Sequence, residues 1–412
     1  MGPQKDSLTR RFRLIVVGDV HYPEHKDEVD ADVKDQTFPA HLVSRVAKPR
    51  VTRVARELQK YRGDGTVVLG DLTSRGNLQG YVECVDYLAK LLRWNDKVEV
   101  PDEALHVVPG NHDIDRALVA AGTQYEPLQN TLKNIGRDIL PVNAPRRVHS
   151  NNSPVAIWSL DSCVGCGTQR GLPQDIADAL RKLPDPFDRQ YEGLDTPAFD
   201  EGHIDTLIDG INGEPSTILP VVVFHHNLLP QHMPRIAPYT EVINGGYLRR
   251  RLLDLDRPIV VLHGHLHSTV LEYVARAGTG GLYCLGATKF VDGFDIVDIH
   301  FSSVGPLGFT VHRFRIGDDA QQSWTSEEIS FARRLHGATG VGELAQALYR
   351  FIPDTYITLI DLRSKYVTAT TEGPQKKTVA IATEELRWAG LVEVADHQYG
   401  WENWRIRRVD RV

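Results

Sequence analysis

RLIVVGDVH, residues 13–21, runs four apolar side chains (Leu14, Ile15, Val16, Val17) into Gly18, Asp19 and His21. An apolar run of this length reads as a strand buried on both faces, as in a sheet covered by other layers. A spacing of two puts Asp19 and His21 on the same side of an extended backbone. A carboxylate and an imidazole aimed together from the end of a rigid strand make half of a metal site. The same construction recurs along the chain. TVVLGD ends in Asp71, and LHVVPGNHD ends in Asn111, His112 and Asp113. LPVVVFHHN ends in His225, His226 and Asn227, and PIVVLHGHLH ends in His263, His265 and His267. Each apolar strand delivers Asp, Asn or His at its C-terminal end, the edge of an α/β sheet where ligands bind. A single such ending is an ordinary loop residue; the whole set points at one pocket.

Taken in order, D-x-H, G-D, G-N-H-D, H and G-H-x-H resemble the calcineurin-like metallophosphoesterase superfamily, over residues 13–316. The resemblance implies an α/β fold of two packed mixed sheets flanked by helices. It also implies a ligand set: Asp19, His21 and His267 on one metal, Asn111, His225 and His265 on the other, and Asp71 bridging them. His225 is preferred to His226 because the family's ligand directly follows the strand; His226 then orients or shields. Oxygen and imidazole donors together suit two divalent transition-metal ions, manganese first, with iron or zinc as alternatives. Two cations sharing one water lower its pKa enough to supply hydroxide for in-line attack on phosphorus. His112, next to Asn111, is placed to protonate the leaving oxygen, and Asp113 to orient His112.

The motifs GDLTSRG, GNHD and GHLHS resemble the branch of cyclic-nucleotide and other small phosphodiesterases. They differ from the GDxVDRG and GNHE of protein Ser/Thr phosphatases. The expected activity is therefore a phosphodiesterase acting on a nucleotide-type substrate. The alternative is a DNA or RNA nuclease similar to the repair exonucleases, whose H-x-N feature is matched here by His225 and Asn227. A scaffold without catalysis is disfavoured, because no metal-ligating histidine of the pattern is missing.

Composition narrows the partners. The 412 residues carry a net charge of −7, with 41% hydrophobic and 25% charged residues, which is ordinary for a soluble globular protein. No global basic footprint argues for nucleic acid. The polar start MGPQKDSLTRRF and the lack of a long apolar run lead us to expect no membrane partner. Four cysteines are too few for a disulfide scaffold in this length, so a cytoplasmic compartment is expected. The expected division is a polar extension (1–12), a metallophosphoesterase domain (13–316), and a linker with a C-terminal domain (317–412). Homo-oligomerisation is left open.

Several stretches carry weaker signals. Residues 22–50 form an acidic segment beside Asp19 and His21, read as a surface insertion or a lid. Helical spacing marks residues 51–61 and 81–92, with Cys84 on the apolar face. Cys163 and Cys166 form a lone C-x-x-C, and with no second pair a metal or redox role is disfavoured. Residues 168–200 read as an insertion before a helix over 203–211. Arg249, Arg250 and Arg251 read as a solvated helix face, and His232 and Arg235 as loop residues within reach of substrate. TVLEYVA, GLYCLGATKF, DIVDIHF and FTVHRFRI, between residues 269 and 316, read as strands of the second sheet. Beyond them, helices over 341–350 and 377–388 precede two strands, a small α+β unit that resembles the end of a winged-helix domain. That unit is the one place where nucleic acid, or a second protein, is an expected partner.

Overall fold

The computed structural model describes residues 10–22, 50–73, 78–94, 96, 100–148, 153–167, 196–229, 242–267, 270–275, 281–302, 305–317, 323–332, 342–371, 373–397 and 399–409. The chain opens with β1 (Arg10–Val17), and the described part of α1 covers residues 50–58. Then come β2 (Gly65–Val68), α2 (Leu78–Leu92), β3 (Leu105–Val107) and α3 (Glu126–Asn134). β4 (Arg146–Val148), β5 (Val155–Ser159), α4 (Glu201–Asn212), β6 (Leu219–Val223), α5 (Gly245–Leu253) and β7 (Ile259–His263) follow. The strands β8 (Leu271–Ala275), β9 (Gly281–Gly286), β10 (Gly293–Ser302), β11 (Gly305–Ile316) and β12 (Trp324–Ala332) lead to the C-terminal unit. That unit contains α6 (Glu343–Tyr349), β13 (Ile357–Thr358), α7 (Leu359–Thr370), α8 (Lys376–Trp388), β14 (Val392–Ala395) and β15 (Arg405–Arg408).

Two sheets of six strands each form the body, in the orders β12-β11-β10-β1-β2-β3 and β4-β5-β6-β7-β9-β8. Both are mixed. β1, β2 and β3 run parallel while β10, β11 and β12 are antiparallel. In the second sheet β5, β6, β7 and β9 run parallel, with β4 and β8 antiparallel at the edges. Alternation along β1 divides its apolar run between two cores, as a strand with both faces covered requires. Leu14 and Val16 face the second sheet and pack with Val67, Val221, Val223, Val260 and Leu262. Ile15 and Val17 turn outward to Val51, Val54, Leu58, Tyr81, Val85 and Leu88 of α1 and α2. The outer face of the second sheet is covered by Ile204, Leu207 and Ile211 of α4 and Leu248 and Leu252 of α5. The layers are therefore helix, sheet, sheet, helix, and Cys84 is a fully buried core residue as expected.

The strand register differs from expectation in one respect. Only β8 and β9 of the four segments after His267 join the second sheet; β10 and β11 join the first, beside β1. An alternating pattern identifies strands but not their partners. The first sheet includes pairing on the far side of residues 13 and 316. Arg10, Arg11 and Phe12 already pair with Phe301, His300 and Ile299, and β12 pairs with β11 past Ile316. At the C-terminus a separate apolar core gathers Leu348, Leu359, Leu362, Val379, Leu386 and Ile406 around the small antiparallel sheet β13-β15-β14. The acidic segment, apart from Tyr22 and Arg50, and His232 and Arg235 lie outside the described residues, as does most of the 168–200 insertion. No helix among the described residues is long and apolar enough to cross a membrane.

Candidate metal centre

The parallel strands β1, β2, β3, β6 and β7 all end on one edge, and the donor residues lie in the short turns just beyond. These turns are packed so closely that side chains are excluded from some positions. Gly70 has φ +89°, and a Cβ there would sit 2.6 Å from Gly110 N and 2.9 Å from His225 Nδ1. A Cβ on Gly264 would lie 2.2 Å from Asp19 Oδ1. Four of the expected ligands themselves lie in the left-handed region: His21 (φ 41°), Asp71 (φ 48°), His265 (φ 67°) and His267 (φ 54°). Such backbone costs of order 1–3 kcal/mol per residue and clusters where function demands it.

All seven expected ligands converge in two halves. Asp19, His21 and His267 form one group whose donor atoms lie within 4.8 Å of one another. His267 Nε2 is 2.9 Å from Asp19 Oδ2. In the other half, Asn111 Oδ1 lies 3.0 Å from His225 Nε2 and 3.2 Å from His265 Nδ1. Asp71 sits between the halves, with Oδ2 3.3 Å from His225 Nε2 and 3.6 Å from His21 Nε2. His225 Nδ1 is 2.6 Å from the carbonyl oxygen of Leu69, to which it donates, and this turns its Nε2 lone pair into the pocket. The sequence offers no signal for that backbone acceptor.

The site suits cations. Both oxygens of the buried Asp19, and His267 Nε2 beside them, lack a hydrogen-bond partner among the described residues. Buried charge of this kind is costly unless it is paired or coordinates a metal. The titration behaviour points the same way. Burial opposes ionisation of Asp71, yet His225, His112 and His21 hold its carboxyl well below the usual carboxylate range. Burial likewise disfavours a charged His225, but Asp71 and Asp19 overcome it and push the imidazole up to about 10. Burial brings His21 down to about 4 against the pull of Asp71, and with the charge of His225 brings His265 down to about 3. The pocket thus draws positive charge while keeping these two imidazoles neutral, the form that binds metal.

The remaining residues differ in placement. His112 is exposed at the mouth, where its backbone N–H donates to Asp71 Oδ1 at 2.9 Å and its ring centre lies 5.1 Å from that of His21. Asp113 is fully buried and accepts from the backbone of Leu72 (2.9 Å), Gly110 (3.0 Å) and Thr73 (3.4 Å). It therefore ties the Asp71 turn to the Asn111 turn. Burial and the charge of Asp71 raise its carboxyl to about 7. His226 is buried and offers a ring nitrogen within 4.8 Å of those of His225 and His265; its ring centre lies 4.5 Å from that of His265, and its Nδ1 is 2.9 Å from Ser162 Oγ. His263 is buried at the end of β7 and belongs to none of the three donor groups among the described residues. Arg251 on α5 pairs with Asp205 at 2.6 Å, on the solvated face expected of the three arginines.

The chain matches the family model described as calcineurin-like phosphoesterase over residues 12–269, well over half its length. No curated relative matches the sequence. Among solved structures, a dimetal phosphatase from Danio rerio is 13% identical, covering 78% of this chain and 98% of its own at a TM-score of 0.47. The phosphopantetheinyl hydrolase of Mycobacterium tuberculosis is 14% identical, covering 67% and 89% at a TM-score of 0.34. A 5'-nucleotidase precursor from Thermus thermophilus is 11% identical, covering 88% and 59% at a TM-score of 0.39.

Proposed function

Because the chain belongs to the calcineurin-like phosphoesterase family and is a metal-dependent phosphoesterase, we propose that it is a phosphodiesterase for a nucleotide-type substrate. The reading assigns Asp19, His21 and His267 to one divalent ion, Asn111, His225 and His265 to the other, and Asp71 to both. The observation that carries it is that Asp19, His21 and His267 gather in one donor group and His225 and His265 in another, with Asn111 and Asp71 within 3.0 and 3.3 Å of His225 Nε2. Manganese is the first choice of metal for this oxygen and imidazole set, with iron or zinc next. When bound, such a pair supplies an activated water and neutralises the non-bridging oxygens of the phosphoryl group.

The protein's own groups do the rest. Leu69 O holds His225 in the tautomer whose Nε2 is a donor to metal. Asp113 braces the Asp71 and Asn111 turns against each other through three backbone N–H groups. His112, exposed beside Asn111, is the group assigned to donate to a leaving oxygen at the mouth.

A small substrate is favoured over a nucleic-acid duplex by the C-terminal unit. A winged helix reads DNA by laying its last helix in the major groove. Here that position falls to α8, where Val379, Ala380, Ala382, Thr383, Glu384, Glu385, Leu386 and Trp388 are all buried. Trp388 stacks on His300 of β10 at 4.3 Å, which docks α8 against the first sheet. We therefore assign this unit to support of the sheet rather than to nucleic acid. A manganese-supplemented panel of bis- and mono-nitrophenyl phosphate, cyclic nucleotides and single- and double-stranded nucleic acid tests the reading. Faster cleavage of the bis-ester and of cyclic nucleotides is expected. Turnover confined to monoesters, or degradation of long DNA at low salt, would overturn the substrate class.

A further inference from the structure

A second donor cluster lies one residue away from the dinuclear pocket. β5 and β6 are parallel neighbours in register from Val155–Leu219 to Ser159–Val223, so the turns beyond their ends emerge side by side. Cys163 and Cys166 occupy the first of these turns, closed by a 2.9 Å bond from Cys166 N–H to Cys163 O. His226 occupies the second. The two thiols and one imidazole nitrogen lie within 4.8 Å of one another, and all three residues are at most 1% exposed. The cysteines carry no disulfide.

The geometry is that of a soft-metal site. Cys163 Sγ is 3.8 Å from His226 Nδ1. A tetrahedral zinc with bonds of about 2.3 Å to sulfur and 2.0 Å to nitrogen holds such a pair roughly 3.6 Å apart. Ser162 Oγ accepts from the backbone N–H of His226 at 3.1 Å and lies 2.9 Å from its Nδ1. Burial raises the Cys163 thiol well above its ordinary value, so that thiol stays protonated until a cation displaces its proton.

We propose that Cys163, Cys166 and His226 hold a single zinc ion, a structural site separate from the dinuclear pair, with Ser162 Oγ offering the fourth ligand. Binding forms two Zn–S bonds and one Zn–N bond and releases the two thiol protons to solvent. The charge of the ion is balanced by the two thiolates, which suits a dry site lined by Ile114 and Tyr125. The clip joins the β5 turn to the β6 turn that carries His225. It therefore positions His225, one of the three donors of the second half-site, from behind. The metal-free Cys163 thiol donates to Pro109 O at 3.3 Å, a bond that is given up when its proton is released.

Cobalt substitution of the full-length chain tests this directly, because thiolate-bound cobalt has an intense near-ultraviolet charge-transfer band and an oxygen and imidazole site does not. The expected result is that band in the parent protein, with a third metal equivalent released by an organomercurial thiol reagent. Cys166→Ser should lose both the band and the third equivalent, and Cys84→Ala should keep both. Cobalt bound without a thiolate band, or a Cys163–Cys166 disulfide in protein purified under reducing conditions, would overturn the site while leaving the dinuclear reading standing. Because the band is read on the parent protein, misfolding of a variant cannot decide the matter.

Discussion

His225 and His226 are adjacent, equally buried and chemically identical, yet their surroundings drive them in opposite directions. His225 stands among carboxylates, with Asp71 at 3.3 Å and Asp19 at 3.7 Å, and is drawn toward the charged form. His226 stands among imidazoles, thiols and a hydroxyl. Burial there, with the charges of His265 and His225, holds its pKa well below the ordinary histidine value. A buried imidazole takes its character from the charge that faces it, not from its depth. One turn of chain thus supplies a hard oxygen and nitrogen pocket on one side and a soft sulfur and nitrogen cluster on the other.

The strongest way to break this contrast is to remove the charge that creates it. Asp71→Asn should lose both ions of the dinuclear pair and take phosphodiesterase activity to background, measured by metal content and bis-nitrophenyl phosphate turnover. A variant that kept two ions and full rate would refute the bridging assignment. His112→Asn should keep the metals and lose about a hundredfold in rate, the low end of what a general acid contributes. Parent-like turnover by that variant would remove the acid role. His226→Gln, by contrast, should cost about tenfold, the size expected for a group that orients ligands from behind. It should leave manganese content at the dinuclear pair unchanged; loss of that manganese would make His226 a direct ligand.

The smallest effect on activity belongs to a third histidine environment, in the C-terminal unit. Glu384 accepts from Arg387 at 2.8 and 2.6 Å and from His397 at 3.0 Å. Burial opposes its ionisation, but Arg387 and His397 lower its carboxyl to about 2. A depressed carboxyl stabilises the fold above its unfolded pKa, and the contribution is lost as pH falls from about 4.5 toward 2. Glu384→Gln should remove about 1–3 kcal/mol near neutral pH and flatten the acid limb of a denaturation series, with turnover unchanged. Identical acid limbs in the parent and the variant would show that the pair is worth nothing.

How much of this is legible in the sequence follows from where the donors sit. Each proposed ligand of the dinuclear pair follows an apolar strand, so local pattern marks the donor-bearing turns and their common edge, while the choice of seven among the donors there comes from the family resemblance. The third member of the Cys163 and Cys166 cluster lies some sixty residues along the chain and arrives only through the pairing of β5 with β6, which no local pattern records. That is why a lone C-x-x-C reads as inert. Helix α7 escapes a sequence reading because LIDLRSKYVTAT has no consistent apolar stripe, burying only Leu359, Leu362 and Tyr366. The assignment of β10 and β11 to the wrong sheet has a similar origin, since pairing is set by packing on both faces and not by alternation along one strand. The role of Asp113 is hidden as well. Its partners are backbone N–H groups, which nearly every residue carries.

Diffraction from crystals grown in manganese, recorded at the manganese absorption edge, tests the central claim most directly. Two anomalous peaks about 3.5–4 Å apart are expected, one among Asp19, His21 and His267 and one among Asn111, His225 and His265, with Asp71 between them. A single ion remote from Asp71, or peaks that leave Asp19 and His225 uncoordinated, would contradict it.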